Sequence, residues 1–494
     1  MKETNKNNKA FWIFVIAFLT VVLIPFCFKN RTVFGLTKIS YLSYSDLVKL
    51  TKEITPNSFL YFRLQRQLNT PYIANKMFFT QNSVHIIHPY LRIAQWNIQR
   101  GFNINAIKNI LRNKYGYYYS YRNNIDHNLQ NNFKKELEDF SKSDIISLNE
   151  VDIGMPRTGY KNIVWEIAHT LNYNYAFATE FIELSPIIYK QNLNPLRYLG
   201  LHGNAILSRY PIKSARILRL PEYYKWYEEE IKRKSPLESV RRLGAKDIFQ
   251  EEITKSEVRR GGRSALIADI ELPNKEIITV ISTHLEDRCF PDKRFNQFKY
   301  LLSNLAYLKR PVVLTGDFNT TTTDSAPASL TKEFVKRIRD PHYLARQAVL
   351  AAVPVGLPGV ANLVSFGLSK ALQYKDPAAL SIPVICPNQE KKIFNYLKDF
   401  RFADGEGFDT NGNRSSNGKR GFLANSNERQ LKGFESTFKF TEPRVIAYFK
   451  LDWFFVKPKG NRFKPYNGQT LQLVNHAYPG MISDHEPIIV DLSL

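Results

Sequence analysis

The chain has 494 residues and a formal net charge of +24, and 44% of its residues are hydrophobic and 13% aromatic. This composition supplies a sizeable hydrophobic core and excludes a chain that is disordered as a whole. The three cysteines, Cys27, Cys289 and Cys386, are too scattered for a zinc motif or a disulfide framework. The positive charge favours anionic partners in general, such as nucleic acid, phosphorylated small molecules or an acidic membrane surface.

The first distinct segment along the chain is an uncharged apolar run, Ala10–Phe28, of the length that crosses a bilayer as a helix. We predict that residues 1–30 form a retained, single-pass membrane anchor. Lysines precede the run, and Lys29 and Arg31 follow it, so the orientation of the anchor stays open. A cleavable signal peptide is the alternative, but the run is long for one and no small-residue cleavage site follows it.

Residues 31–90 contain two amphipathic stretches, YSDLVKLTKEI and FLYFRLQRQL, which predict two short helices that link the anchor to the body. From residue 91 to residue 494, short β-rich runs alternate with helical ones. The predicted strands are YLRIAQWNI, DIISLNEV, GNAILSRYPI, RSALIADIEL, IITVISTHL, PVVLTGDFN, FKLDWFFVK and PIIVDL. The predicted helices between them are FKKELEDFSKS and FNQFKYLLSNLAYL. This alternation of strands and helices is typical of strands that are covered by helices on one face and by a second sheet on the other, so we predict a layered α/β sandwich.

Two insertions interrupt the alternation, at about residues 221–257 and 321–445. The first is highly charged and is predicted to be helical. The second contains Gln347–Ser369, a run without any charge that Pro354 and Pro358 break near its middle. Two interpretations of this run stay open: a helical hairpin buried against the body, or a lid that dips into the membrane beside the anchor.

Polar residues of a restricted kind end or follow the predicted strands. Carboxylates, carboxamides and two histidines recur there, with almost no basic residues among them. They are Asn97, Asn149, Glu150, His284, Asp317, Asn319, Asp452, Asp484 and His485. Each one alone is typical of a turn or a strand cap. Together they are the groups that hold a hard divalent cation and transfer protons beside it.

In this order, the motifs resemble the endonuclease/exonuclease/phosphatase superfamily, which includes deoxyribonuclease-I-like nucleases, neutral sphingomyelinases and inositol-polyphosphate phosphatases. The resemblance covers residues 91–494 apart from the insertions, and the stretches NEVDIGMPRTGY and HGNAILSRYPI strengthen it. It implies a four-layered α/β sandwich of two packed mixed β-sheets flanked by helices. To this the chain would add an N-terminal transmembrane helix and a helical insertion. The implied reaction is metal-assisted hydrolysis of a phosphate ester.

The resemblance also implies roles for individual residues. Glu150 matches the principal ligand of Mg2+, with Mn2+ as the alternative ion, and Asn97 matches a carboxamide that helps to place metal and phosphate. Asp484 is implied as a further metal contact. His485 matches the base that activates water, and Asp452 matches the carboxylate that orients this base.

Two further pairs of residues complete the implied site. Asp317 and Asn319, in the motif GDFN, match groups that hold the attacking water and the transition-state oxygens. His284 and Arg263 resemble phosphate-binding groups, which matter because negative charge builds on the phosphoryl oxygens. The chain departs from the family at Asn149, where Gln is frequent. The second insertion is also a departure, and because it falls beside the expected cleft it bears on the substrate rather than the reaction.

We therefore expect a membrane-anchored, monomeric, Mg2+-dependent phosphodiesterase or phosphatase that acts on a lipid or another phosphoester near the membrane. The first alternative is a nuclease, because nucleic acid also attracts a positively charged protein. The second alternative is a non-catalytic binding scaffold of the same fold. The presence of Glu150, Asp317, Asn319 and His485 disfavours this scaffold.

Overall fold

The computed structural model of the chain describes residues 32–34, 36–37, 41–75, 89–189, 193–232, 257–320, 375–376, 379–383, 391–409, 434, 437–440 and 447–494. The predicted anchor, residues 1–30, and the apolar run Gln347–Ser369 lie outside these residues. Within the described ranges, no helix is both long enough and apolar enough to cross a membrane.

The strands are numbered along the chain. They are β1 (Thr32–Phe34), β2 (Tyr72–Ala74), β3 (Tyr90–Arg100), β4 (Ile145–Ile153), β5 (Asn174–Glu183), β6 (Leu201–Ser208), β7 (Ile212–Arg219), β8 (Arg259–Gly261), β9 (Ser264–Glu271), β10 (Ile277–His284), β11 (Val312–Asp317), β12 (Lys375–Asp376), β13 (Ala379–Pro383), β14 (Phe438–Phe440), β15 (Ala447–Phe449), β16 (Asp452–Lys457), β17 (Pro465–Thr470) and β18 (Ile488–Ser493).

The helices are numbered in the same way. They are α1 (Tyr44–Leu50), α2 (Phe59–Asn69), α3 (Ile104–Arg112), α4 (Lys114–Tyr121), α5 (Gln130–Ser141), α6 (Ile163–Leu171), α7 (Ser185–Ile188), α8 (Trp226–Lys232), α9 (Pro291–Ser303), α10 (Lys391–Asp399) and α11 (Gln472–His476). Short 3-10 turns occur at Arg122–Asn124, His127–Leu129 and Pro156–Thr158.

Two mixed β-sheets form the centre of the fold. The six-stranded sheet has the order β1-β7-β9-β10-β11-β16, and the eight-stranded sheet has the order β17-β18-β3-β4-β6-β5-β2, with β8 beside β5. Each sheet contains a parallel pair near its middle, β10 with β11 and β3 with β4. In register, His284 lies opposite Asp317 and Asp317 opposite Asp452. The strand ends that carry the predicted site residues are therefore neighbours.

The apolar core has three parts, and they define the layers of the fold. Between the sheets, Ile93 and Ile145 of the eight-stranded sheet pack in one buried cluster with Val280 and Val313 of the six-stranded sheet. On the outer face of the eight-stranded sheet, Trp96 lies in a cluster with residues of α3, α5 and α6. On the outer face of the six-stranded sheet, residues of α9 and α10 pack against β11 and β16.

The architecture is thus an α/β fold with two mixed sheets between helices, and this part of the prediction is confirmed. All eight runs predicted as strands contain a strand, and α5 and α9 coincide with the two predicted helices. One run, GNAILSRYPI, contains β6 and only the first residue of β7, because a turn separates the two strands. The sequence pattern did not predict β5, a ten-residue strand that is buried throughout, because its sequence mixes polar and apolar residues.

The segment before residue 91 contributes more than the predicted linker helices. Helices α1 and α2 are present as predicted, but β1 also pairs with β7, and β2 pairs with β5. The segment therefore adds one strand to each sheet. Leu47, Leu50, Leu64 and Leu68 are buried in the cluster that covers the eight-stranded sheet, so this segment is part of the folded body.

Gly316 lies directly before Asp317 and adopts a φ of +143°. A Cβ at this position would lie 1.8 Å from the carbonyl oxygen of Thr283 on the neighbouring strand. We expect Gly316→Ala to lower the free energy of unfolding by about 3 kcal/mol, because it combines backbone strain with a backbone clash. Denaturant unfolding measures this loss.

Gly405 provides the matched control, because its φ is +81° but no atom lies within 4 Å of a Cβ built on it. We expect Gly405→Ala to cost only about 1 kcal/mol, the strain of a left-handed backbone. Equal losses in the two variants would contradict the steric explanation for Gly316.

Candidate functional site

The candidate site lies where the inner faces of both sheets change from apolar to polar. Alternate residues of a strand share one face, so this change can be followed along each central strand. The inner-face series are Ile93, Gln95 and Asn97 on β3, Ile145, Ser147 and Asn149 on β4, Val280, Ser282 and His284 on β10, and Val313, Thr315 and Asp317 on β11. All four series end in a polar side chain: a carboxamide on β3 and β4, an imidazole on β10 and a carboxylate on β11.

A continuous chain of contacts connects the predicted site residues across the two sheets. Nδ2 of Asn97 lies 3.1 Å from Oε1 of Glu150 and 3.2 Å from Oδ2 of Asp317. The same Asp317 oxygen lies 3.6 Å from Nε2 of His485, and Nδ1 of His485 lies 2.8 Å from Oδ2 of Asp452. Five residues that are distant in sequence therefore meet in one cluster.

His485 and Asp452 form a buried imidazole–carboxylate pair. Burial by itself lowers the pKa of His485, but Asp452 and Asp317 outweigh it and raise this pKa well above the ordinary value. The hydrogen bond to Asp452 sets the orientation of the ring and leaves Nε2 directed towards Asp317. This is the arrangement of a positioned acid or base.

Asp317 is almost completely buried, and burial raises its pKa to about 6. His485 opposes this rise, whereas Asp452 adds to it. The Asp317 amide donates to Oδ1 of Asn149 at 2.9 Å, and Oδ1 of Asp317 accepts from the Asn319 amide at 2.8 Å. Both contacts fix the backbone around Asp317.

His284 is a neutral imidazole whose tautomer follows from its neighbours. Nδ2 of Asn319 donates to the carbonyl oxygen of Leu285 and lies 3.1 Å from Nε2 of His284. Nε2 is then an acceptor and the proton is on Nδ1. Burial, together with the charge of Arg263, lowers the pKa of His284 well below its ordinary value. Among the described residues nothing bonds to Nδ1, which is itself buried, whereas Nε2 lies beside Asn319 and 3.5 Å from Oδ2 of Asp317.

The backbone at Glu150 has an unusual conformation. Its φ is +55°, and the pairing of β4 with β6 shifts register between Leu148 and Val151. Asn319, in the GDFN motif, also has a positive φ of +49°. Non-glycine residues with positive φ are uncommon and collect at functional sites. At β4 the irregularity leaves the Glu150 side chain half-buried beside Asn97.

The donor set fits a divalent cation. Glu150 and Asp317 both converge on the single Nδ2 of Asn97, and two such carboxylates suit a hard ion such as Mg2+. Oδ1 of Asn97 accepts from the Gln99 amide at 3.1 Å, so in this orientation Asn97 holds the two carboxylates rather than offering an oxygen to an ion.

A second grouping is also able to bind a cation. Asp317, Asp452 and His485 offer ligand atoms that all lie within 4.8 Å of one another. However, an ion there would occupy Nε2 of His485, the ring nitrogen that the hydrogen bond to Asp452 leaves for proton transfer. We therefore favour the carboxylates of Glu150 and Asp317 as the cation-binding groups.

Arg263 and Asp484 are less directly connected to this cluster. Arg263 is buried and pairs with Asp287 at 3.1 Å, with Glu180 at 3.6 Å and with Glu286 at 3.8 Å. Three carboxylates thus balance its charge, which is unlike a free phosphate-binding arginine. Asp484 is half-buried, and its Oδ1 lies 3.3 Å from the hydroxyl of Ser483.

Several residues that support the site escaped the sequence interpretation. The Ser483 hydroxyl donates to the carbonyl oxygen of Asn97 at 2.7 Å and accepts from the His485 amide at 3.2 Å. Trp96 Nε1 and Asn475 Nδ2 donate to the carbonyl oxygen of His485. Buried Asn204 binds Asn149. Only Asn204 had a signal in the sequence, as a carboxamide inside the apolar run GNAIL.

The sequence comparison agrees with the motifs described above. The model of the Endonuclease/Exonuclease/phosphatase family matches residues 94–485. The match therefore includes every candidate site residue from Asn97 to His485. A comparison with curated proteins found no match.

Solved structures that are similar to the chain have low sequence identity to it. An endonuclease/exonuclease/phosphatase from Beutenbergia cavernae is 15% identical, with a TM-score of 0.39 over 82% of this chain and 72% of that chain. The catalytic domain of human Nocturnin with bound sulfate is 13% identical, with a TM-score of 0.38 over 82% and 95%. D. rerio TDP2 complexed with a single strand DNA product is 13% identical, with a TM-score of 0.32 over 82% and 99%. At this similarity, these structures carry no information about the substrate.

The environment of Arg263 predicts a pH-dependent stability. Burial raises the pKa of Glu286 to about 7, although Arg263 opposes the shift. A carboxyl group with a raised pKa stabilises the fold below its unfolded pKa and loses this contribution as pH rises through the folded value. We therefore expect Glu286→Gln, which stays neutral, to gain about 1 kcal/mol relative to the wild type between about pH 6 and pH 8.

Unfolding measurements at both pH values test this expectation. Glu229→Gln, at an exposed position on α8, is the control and should show no such gain. A constant difference between Glu286→Gln and the wild type across this range would show that Glu286 is already ionised in the folded protein.

Proposed function

Because the chain belongs to the endonuclease/exonuclease/phosphatase family, we propose that it is a metal-dependent hydrolase of a phosphate ester at a membrane surface. The observation that carries this proposal is the contact chain from Glu150 through Asn97, Asp317 and His485 to Asp452. These side chains lie in one cluster, in which Glu150 would bind the cation, His485 would accept a proton and Asp452 would orient His485. These three components are sufficient for metal-assisted hydrolysis.

The residues have distinct roles in the proposed reaction. In its neutral form, His485 takes the proton of a water molecule, and Asp452 holds the imidazole and stabilises its charged form. Asp317 and Asn319 orient this water towards phosphorus, the ester P–O bond breaks as the new P–O bond forms, and the leaving oxygen takes up a proton from solvent. Nε2 of His284 accepts from Asn319 and so helps to orient this carboxamide towards the phosphoryl oxygens, where negative charge builds.

Glu150 and Asp317 would hold Mg2+ or Mn2+, and Asn97 would orient both carboxylates. When bound, the ion supplies Lewis acid stabilisation of the phosphoryl oxygens. Asp484, at the entrance to the His485 loop, would add a water-mediated contact. Arg263 contributes by orienting its carboxylate partners and by lowering the pKa of His284, rather than by direct contact with phosphate.

A substrate at a membrane is favoured by the sequence outside the described residues. The apolar run Ala10–Phe28 ends close to Thr32, the first residue of β1, so an anchored domain would stay next to the bilayer. The uncharged run Gln347–Ser369 lies in the insertion between Asp317 and Asp452. Nucleic acid is the second candidate substrate, because the net charge of +24 attracts a polyanion as well as an acidic membrane.

A substrate panel separates these candidates. The full-length protein in lipid nanodiscs is assayed with Mg2+ against sphingomyelin, phosphoinositides, a chromogenic phosphodiester and plasmid DNA. We expect a lipid phosphoester to be hydrolysed with the highest kcat/KM. Preference for DNA would favour a nuclease, and failure to hydrolyse any phosphoester would favour the scaffold.

The first mutational prediction concerns the proposed base. His485→Ala should lower kcat by about a hundredfold, the usual scale for a lost general acid–base group. His127→Ala, at an exposed position outside the cluster, should retain wild-type activity. If His485→Ala keeps near-normal turnover, another group activates the water.

The second mutational prediction concerns the cation. Activity should disappear on treatment with EDTA and return with Mg2+ or Mn2+, and Glu150→Gln should require at least about tenfold more metal for half-maximal activity. Calorimetric titration of Mn2+ should show the same loss of affinity without any substrate. Unchanged metal affinity in Glu150→Gln, with Glu229→Gln as the control, would remove Glu150 from the cation site.

A further inference from the structure

Thr437 lies near the end of the second insertion, directly before β14, and is completely buried. The segment that contains Thr437 contacts both the stretch of chain around Asp452 and the stretch around His485. Asp452 begins β16 in the six-stranded sheet, whereas His485 lies in the loop before β18 in the eight-stranded sheet. Thr437 therefore lies where the two sheets must keep a fixed separation.

Thr437 binds both of these parts through its hydroxyl and its backbone. The hydroxyl oxygen accepts hydrogen bonds from the amides of Leu451, at 3.0 Å, and Asp452, at 3.2 Å. Its carbonyl oxygen accepts from the amide of Glu486 at 2.6 Å. One residue thus bonds to the backbone beside both members of the Asp452–His485 pair.

The next residue extends this contact. Phe438 forms an isolated β-bridge with His485, and the centroids of the two rings are 5.1 Å apart. The segment therefore limits movement of His485 from one side, while the hydrogen bonds of Thr437 limit movement of the backbone at Asp452.

We propose that Thr437 is a positioning residue that sets the distance between Asp452 and His485 for catalysis. The inference rests on the proposed function, in which this pair activates water. Side-chain contact between Asp452 and His485 is a single 2.8 Å hydrogen bond, and a displacement of about 1 Å in such a pair is enough to lower catalysis by up to a hundredfold. Thr437 prevents this displacement because it ties together the two backbones.

Two substitutions of Thr437 test the role of its hydroxyl group separately from the role of the shape of its side chain. Thr437→Val keeps the shape but removes the acceptor for two buried amides, whereas Thr437→Ser keeps the acceptor. On the best phosphodiester substrate of the full-length protein, we expect Thr437→Val to lower kcat by about tenfold or more, with KM within about twofold of the wild type. Thr437→Ser should retain at least about half of the wild-type kcat.

Thr279 provides a matched control. It is a buried threonine at the far end of β10 from His284, and its hydroxyl donates to Asp269 at 2.8 Å. Thr279→Val makes the same substitution without affecting the Asp452–His485 pair, so kcat should be unchanged. Wild-type kcat in Thr437→Val, or equal losses in the Ser and Val variants, would overturn the inference.

A double-mutant cycle distinguishes positioning from general destabilisation. If Thr437 acts through Asp452, then Thr437→Val should cost less than about twofold in kcat when Asp452 is already Asn, because residues that act as a unit are not additive. Full additivity would mean that Thr437 acts elsewhere. If Thr437→Val fails to fold, Thr437→Ala replaces it, because a water molecule can enter the vacated space and bond to both amides. Its smaller loss should likewise vanish in the Asp452→Asn background.

Two measurements keep this inference separate from the proposed function. Full activity in His485→Ala would overturn the proposed function, whereas full activity in Thr437→Val would overturn only the inference. Amide hydrogen exchange needs no substrate: the Leu451 and Asp452 amides should be protected in the wild type and in Thr437→Ser, but should exchange faster in Thr437→Val. Rapid exchange of both amides in the wild type would also overturn the inference.

Discussion

The site depends on one buried carboxamide, that of Asn149, which bonds to both sheets at once. Its oxygen accepts from Gln95 at 2.7 Å and from the amide of Asp317 at 2.9 Å, while its nitrogen donates to Asn204 at 2.7 Å and to the carbonyl oxygen of Thr283 at 3.2 Å. A buried carboxamide must have its donors and acceptors satisfied, so these partners allow a single orientation. These hydrogen bonds of Asn149 fix the position of β11 relative to β4, and therefore the position of Asp317 relative to Glu150 and Asn97.

The charge of the cluster follows from this geometry. The packing of the sheets forces Glu150, Asp317 and Asp452 into a small, largely buried space, in which His485 partly compensates their charge. Buried carboxylates that lack a counter-charge either take up a proton or bind a cation. The raised pKa of Asp317 corresponds to the uptake of a proton. Affinity for a divalent ion would correspond to the binding of a cation. The same interaction that organises the sheets thus brings together the carboxylates of the candidate cation site.

Phe181, Glu183, Trp226, Glu257 and Arg259 form a group that we call the wall. Unlike the cluster, the wall contains charges of both signs. Arg259 stacks on Trp226 at 3.5 Å and on Phe181 at 3.9 Å, and it pairs with Glu183 and Glu257. Arginines and carboxylates alternate through this wall, so their charges largely cancel. These pairs leave little net charge to attract an anionic substrate. Attraction of such a substrate therefore depends on the positive charge elsewhere on the chain.

The sequence by itself determined the class of the fold and the identity of most site residues. Apolar alternation marked the central strands, and polar residues such as Asn97, His284 and Asp317 were visible because they interrupt it. Motif order then indicated the family. Only the tertiary structure decided that Asn97 faces Asp317, that Arg263 is neutralised by carboxylates, and that β1 and β2 complete the two sheets. The local sequence pattern indicates which face of a strand is buried. The pairing partners of the strand, the environment of its side chains and their pKa values depend on contacts between segments that are hundreds of residues apart.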